Sequence, residues 1–219
     1  MQKFVKITSP AAALREADVD TDVIFPARFL LLLDKAGLGK HLFHERRHRR
    51  DGAKTDFVLN TPPFDKAEIL VAGANFGSGS SREQAVWALI DFGIRCVIAP
   101  SFGEIFFSNC FKNGALPLVI QGEAHERVML AAETCKPITV SLETQSVELP
   151  DGEVIGFEID PYRRRTLMLG LDEIGSILAD DAEDIAAFEA QLRASQPWLF
   201  LDDGRLERLF ADKHPKASA

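Results

Sequence analysis

Cysteine is scarce in this chain of 219 residues: only Cys96, Cys110 and Cys135 occur, and no two are close in sequence. That excludes the closely spaced thiolates that hold an iron–sulfur cluster, and Cys96 and Cys110 read as buried thiols of the core. Long apolar runs are missing too. No stretch approaches the ~20 residues of a membrane span, and the N-terminus lacks the small-residue cleavage pattern of a signal peptide, so the chain is expected in the cytoplasm. Positive charge is not in excess. A net charge of -8 and a pI near 5.2 argue against nucleic acid or an anionic membrane as the partner. Neither repeats nor low-complexity tracts interrupt the sequence, and 46% hydrophobic residues suffice for one full core with a trailing helix.

What is present is concentrated between Glu68 and Ile120. Glu68 to Ala72 is a short apolar run ending at a glycine, and Cys96 to Ala99 and Leu116 to Ile120 are two more. Between them Ala85, Ala88, Leu89 and Phe92 mark one face of a helix stopping at Gly93, and a second helix stops at Asn113-Gly114. Ser80 with Glu83, and Ser101 with Glu104, have the spacing of capping boxes. The expectation is an α/β fold built on a right-handed parallel βαβαβ unit.

Ligands of parallel sheets sit beyond the carboxyl ends of the strands, which here points to the loop Gly73 to Glu83. A dinucleotide fingerprint would need glycine at Arg82, and a Walker loop would need lysine at Ser78; both are absent. What remains is a glycine loop presenting Ser80, Ser81 and Arg82, whose guanidinium fork suits a planar carboxylate. The bland alternative is a helix cap beside a solvated arginine.

Earlier in the chain, Phe4 to Ile7 alternates like an edge strand, and Asp18, Asp20 and Asp22 offer carboxylates at alternate positions. A calcium loop fails there, because Val23 replaces its glycine and Phe29 its glutamate; a turn capped by aspartates is the simple reading. Pro26 to Leu33, which includes Arg28, is either a buried helical turn or a loop over a cleft. His44-Glu45-Arg46-Arg47-His48 matches HExxH, but four arginines at 46, 47, 49 and 50 oppose a dication, so a solvated face or partner contact is expected. Phe57 to Leu59 reads as a short strand. Glu123 to Cys135 reads as an amphipathic helix, followed by β segments through Ile159. Arg163 to Arg165 are expected to be solvated, and Asp181 to start a last helix.

Taken together, Asp20-Thr21-Asp22, Asn75-Phe76-Gly77, Gly79-Ser80-Ser81-Arg82-Glu83, Ala99-Pro100-Ser101-Phe102, Phe157 to Asp160, Arg163-Arg164 and Gly170 to Gly175 resemble the swivelling domain of the aconitase family. Within it the string is most similar to the small-subunit family of 3-isopropylmalate dehydratase. The likeness extends from Phe4 to about Leu199, implying a β/β/α three-layer swivelling domain over 1–199 and an extension over 200–219. It also implies a hydro-lyase of leucine biosynthesis that interconverts 2- and 3-isopropylmalate through 2-isopropylmaleate.

By resemblance, Ser80 is the base beside a substrate carboxylate and Arg82 binds that carboxylate. Ser81 and the Gly79 backbone support them, Asp20 and Asp22 line the cleft, and the segment carrying Arg28 lies near the variable side chain of a small dicarboxylate. No metal site is implied in this chain. A [4Fe–4S] cluster, taking the leaving hydroxyl as Lewis acid, is implied on a separate large subunit, so that the active species is a heterodimer. Ser78 and Gln84 depart from the cysteine and histidine common at these places. A paralogue acting on citramalate, dimethylmalate or homoaconitate therefore stays open, as does a non-catalytic binding module.

Overall fold

Strand β1 (Lys6–Leu14) is the spine of the computed structural model, which describes residues 1–32, 34–79, 82–200 and 204. Its first half pairs antiparallel with β5 (Pro137–Ser141), and its second half, Ala11 to Leu14, pairs parallel with β2 (Ile69–Ala72). The change of partner falls at Pro10, which has no N–H to donate to a ladder. Beside it the Ser9 hydroxyl donates to Pro10 O (2.8 Å) and accepts from Glu68 N (3.0 Å), so the buried hydroxyl serves both strands at the junction. The expected edge strand is therefore corrected to a central one. Its alternation reflects one exposed face, with Lys6 and Thr8 outward and Ile7 and Ser9 inward.

From β2 the chain runs through α3 (Gln84–Phe92), β3 (Cys96–Ala99), α4 (Glu104–Asn113) and β4 (Leu116–Val119). The numbers α1 and α2 belong to Thr21–Ile24 and His44–Arg47, on the connection from β1 to β2. These strands are parallel neighbours, so the βαβαβ unit stands as expected within a seven-stranded sheet of order β4-β3-β2-β1-β5-β6-β7. Both helices stop on left-handed glycines, Gly93 and Gly114, at the predicted places. Every residue of β2 and β3 is buried because both faces are covered. Leu70, Ala72, Val97 and Ala99 join the cluster under α3, with Phe25, Phe43, Phe76 and Phe106. Ile69, Val71, Cys96 and Ile98 join the opposite one, with Val128 and Met129 of α5 (Gly122–Ala132).

The antiparallel part ends in β6 (Ser146–Glu148) and β7 (Val154–Gly156); Phe157 to Ile159 lie past its last strand. Phe57 to Leu59 is not a strand: Val58–Asn60 forms a 3-10 turn, whose Asn60 amide donates to Arg47 O (2.7 Å) and Thr55 O (3.1 Å). In α6 (Pro161–Leu169) two arginines expected to be solvated are structural. Arg163 stacks over Phe107 and Phe111, and Arg164 donates to Leu142 O and Glu143 O, carbonyls past the end of β5.

By contact the chain divides into two units, Met1–Glu173 and Ile174–Ala219. The second contains most of α7 (Glu173–Asp180), then α8 (Ala182–Ser195) behind Asp181, and a 3-10 turn at Pro197–Leu199. Among the described residues no helix is long and apolar enough to cross a membrane.

Candidate functional site

Three loops leave the carboxyl ends of β1, β2 and β3 and are tied together by backbone bonds that prolong the parallel pairing. Gly77 N donates to Val19 O (2.7 Å), Thr21 N to Ser78 O (3.0 Å), Phe76 N to Ser101 O (3.1 Å) and Gly103 N to Phe76 O (2.9 Å). Side chains lock the same loops: the Asn75 amide donates to Asp18 Oδ1 (2.8 Å), and Ser101 Oγ accepts from Asn75 N (2.8 Å). Gly77, at φ +73°, lets this happen. A Cβ there would lie 2.2 Å from Phe106 Cγ, and one on Gly103 would lie 2.4 Å from Gly77 O.

On this platform sit several of the residues the sequence singles out. Asp20 caps α1, its carboxylate accepting from Val23 N (2.8 Å), and bridges Ser78 through the backbone. Gly79, at φ +88°, lies against Asp20, where a Cβ would be 3.5 Å from Asp20 Cβ. Asp22 forms an ion pair with Arg82, joining Nη1 to Oδ1, and the same carboxylate oxygen accepts from Ala27 N (3.1 Å). That pairing holds the Asp22 carboxyl below the usual carboxylate range. Asp20, Asp22, Gly79 and Arg82 are thus brought together across ~60 residues of sequence, with the Arg82 side chain 19% exposed. Ser80 and Ser81 lie outside the described residues, as does Leu33.

Arg28 stands on the next turn, Ala27–Phe29, where it pairs with Glu45 and lies over the Phe29 ring. The segment after it is not a buried helical turn: Leu31 is 90% exposed, because the chain here runs on the surface. The capping box expected of Ser101 with Glu104 does not form as drawn, and the one expected of Ser80 with Glu83 falls on a residue outside the described ones. Helix α3 begins at Gln84 with Glu83 as its cap residue, and the Glu83 carboxylate accepts from Asn113 Nδ2 (2.7 Å), tying α3 to α4. Helix α4 begins behind Gly103 because the Ser101 hydroxyl is committed to Asn75.

The HExxH string forms α2, but Arg47 is buried rather than solvated. Its guanidinium donates to Gly39 O (3.0 Å), Leu42 O (3.2 Å) and Asn60 Oδ1 (3.1 Å) and lies over Phe92. The imidazoles of His41 and His44 are pushed below their usual pKa, chiefly by desolvation, with neighbouring cations adding to the shift. Among the described residues no group of three or more His, Cys, Asp or Glu side chains could hold a metal ion.

Comparison with known proteins gives three matching family models: the aconitase C-terminal domain over residues 1–123, LeuD_N over 129–161, and, over 180–202, the C-terminal domain of the 3-isopropylmalate dehydratase small subunit. A protein of Parvibaculum lavamentivorans named 3-isopropylmalate dehydratase small subunit is 52% identical over 202 residues, covering 91% of this chain and 100% of its own. The protein of the same name from Paramagnetospirillum magneticum is 51% identical over the same span. The chain belongs to the 3-isopropylmalate dehydratase small-subunit family. In the same family, the crystal structure of 3-isopropylmalate dehydratase (leuD) from Methanocaldococcus jannaschii is similar with a TM-score of 0.62 at 25% identity, over 83% of this chain and 99% of that one.

The iron–sulfur cluster implied by likeness to the aconitase family does not fit the thiols of this family member. Cys96 and Cys110 are buried in separate core clusters, where burial pushes both thiols up, and Cys135 is exposed, so the three do not make the closely spaced set of thiolates a cluster needs. What sequence reasoning missed is the partner of Arg82 and the clamp of Asp18 on Asn75. Asp18 and Asn75 take left-handed backbone there, at φ 57° and 58°, which short polar residues tolerate.

Proposed function

We propose that this chain is the small subunit of a hydro-lyase that interconverts 2-isopropylmalate and 3-isopropylmalate by dehydration and rehydration through 2-isopropylmaleate, in leucine biosynthesis, active only with a large subunit. The observation that carries this reading is identity near 50% along the whole length of relatives bearing that name. On this reading residues 1–199 act as the swivelling domain, 200–219 are an extension, and the heterodimer works in the cytoplasm. The [4Fe–4S] cluster belongs to the large subunit.

Within this chain Arg82 binds a carboxylate of the small dicarboxylate substrate through its two-pronged fork, and Ser80 removes and returns the proton beside that carboxylate. Ser81, Gly79, Asp20, Asp22 and Arg28 surround the pair. Support comes from the platform itself: a helix N-terminus and a glycine loop at the carboxyl ends of parallel strands suit an anion.

The test is anaerobic reconstitution with a large subunit and turnover on a panel of alkylmalates. 2-Isopropylmalate should be the best substrate, and preference for citramalate, dimethylmalate or homoaconitate would replace the reading with a paralogous one. Ser80→Ala should cut kcat by orders of magnitude with little change in KM. Arg82→Lys keeps the charge but loses the parallel hydrogen bonds, and should lower kcat/KM by roughly 1.5–3 kcal/mol, the worth of a charged hydrogen bond. Wild-type turnover in either variant would remove that residue from the mechanism. Stoichiometric iron bound to the small subunit purified alone would overturn the assignment of the cluster to its partner.

A further inference from the structure

We infer that Asp22 is a positioning residue: it holds the Arg82 guanidinium by one nitrogen so that the opposite edge is presented to the substrate carboxylate, and it is not itself a substrate ligand. The inference rests on the proposed role of Arg82. Three observations lead to it.

The contact is one-pronged. Asp22 Oδ1 meets Arg82 Nη1, while Nε and Nη2 make no hydrogen bond among the described residues. Those two nitrogens form an edge of the planar fork that matches a carboxylate in a bidentate pair. An arginine serving only the fold would be expected to spend that edge on carbonyls, as Arg164 does with Nε on Leu142 O and Nη2 on Glu143 O.

The holder is itself held. Oδ1 of Asp22 also accepts from Ala27 N, and Asp22 lies on α1, whose cap Asp20 is bonded to Val23 N and bridged to Ser78. Arg82 is therefore fixed from the loop after β1, and this spares the long side chain from being ordered when substrate arrives.

The charge is wrong for a ligand. A carboxylate kept ionised beside Arg82 would repel a dicarboxylate, and with Oδ1 already shared by two donors it suits the arginine rather than the substrate. The side-chain exposures agree, at 55% for Asp22 and 19% for Arg82, which puts the carboxylate at the rim and the guanidinium inside it.

The experiment is a double-mutant cycle in the enzyme reconstituted with its large subunit, using Asp22→Asn, Arg82→Lys and the pair, with 2-isopropylmalate as substrate and melting curves for each small subunit. Asp22→Asn should lower kcat/KM roughly tenfold to a hundredfold, the scale expected when a catalytic contact is misplaced by about 1 Å. The loss should be mainly in KM with an unshifted melt. In the Arg82→Lys background the same substitution should cost less than about twofold, because the residue it acts through is gone. Asp22→Glu, which keeps the charge on a longer arm, is the second variant and should show the same non-additivity. An equal loss in both backgrounds, or no loss in either, overturns the inference. Wild-type kinetics for Arg82→Lys alone would instead overturn the proposed role of Arg82, and this inference with it, so the two failures are told apart.

Discussion

Gly77→Ala tests the platform under the candidate site. At φ +73° the residue is in the left-handed region, where a side chain costs about 1–2 kcal/mol. The added Cβ would also fall 2.2 Å from Phe106 Cγ and 2.6 Å from Cδ1. Phe106 cannot swing aside. It is 2% exposed and packed edge-on to Phe76 at 5.4 Å and flat against Phe102 at 6.3 Å, so the clash becomes overpacking worth about 1–3 kcal/mol. The sum is roughly 2–5 kcal/mol, and at about 2–4 °C per kcal/mol for a chain of this size the Tm should drop by roughly 4–20 °C. The assay is thermal and urea unfolding of the isolated subunit, followed by circular dichroism. Phe106→Ala supplies the control: alone it should cost about 3–5 kcal/mol for the lost ring. In its background Gly77→Ala should cost only the backbone part, giving a coupling of about 1–3 kcal/mol. A melt within ~2 °C of the parent for Gly77→Ala, or strict additivity with Phe106→Ala, would refute the close approach.

Acid should destabilise the subunit through its histidines. His41 and His44 have folded pKa values below 6.5, so as pH falls under about 6.5 the unfolded chain binds protons that the folded one resists, and stability complete above that pH is progressively lost. His41→Phe should flatten this slope in urea midpoints between pH 7 and pH 5, and an unaltered slope would exclude it as a source. Arg47→Met should cost roughly 2–4 kcal/mol, because the carbonyls of Gly39 and Leu42 lose their buried donor, and an unchanged urea midpoint would show those bonds to be dispensable.

Residues that report on their own neighbourhood were legible. The apolar runs at Ile69, Cys96 and Leu116 are strands, and Gly93 and Gly114 end the intervening helices. The parallel unit follows from their order and spacing. The string around Arg82 pointed to the family before any coordinates. Some sequence expectations failed because a distant residue had taken a group that local spacing had assigned to a near one or to solvent. Ser101 is spent on Asn75 instead of its own helix start, and Arg47 on carbonyls eight and five residues back together with Asn60. Periodicity showed that Ile7 faces inward but not that β1 lies mid-sheet, since alternation encodes which face is buried and says nothing of what pairs on either side. Arg82 was a carboxylate binder by its chemistry alone. That Asp22 holds it by one nitrogen was decided only when two loops 60 residues apart were brought to the same end of the sheet, because hydrogen bonds are chosen by distance in space and the chain records only distance along itself.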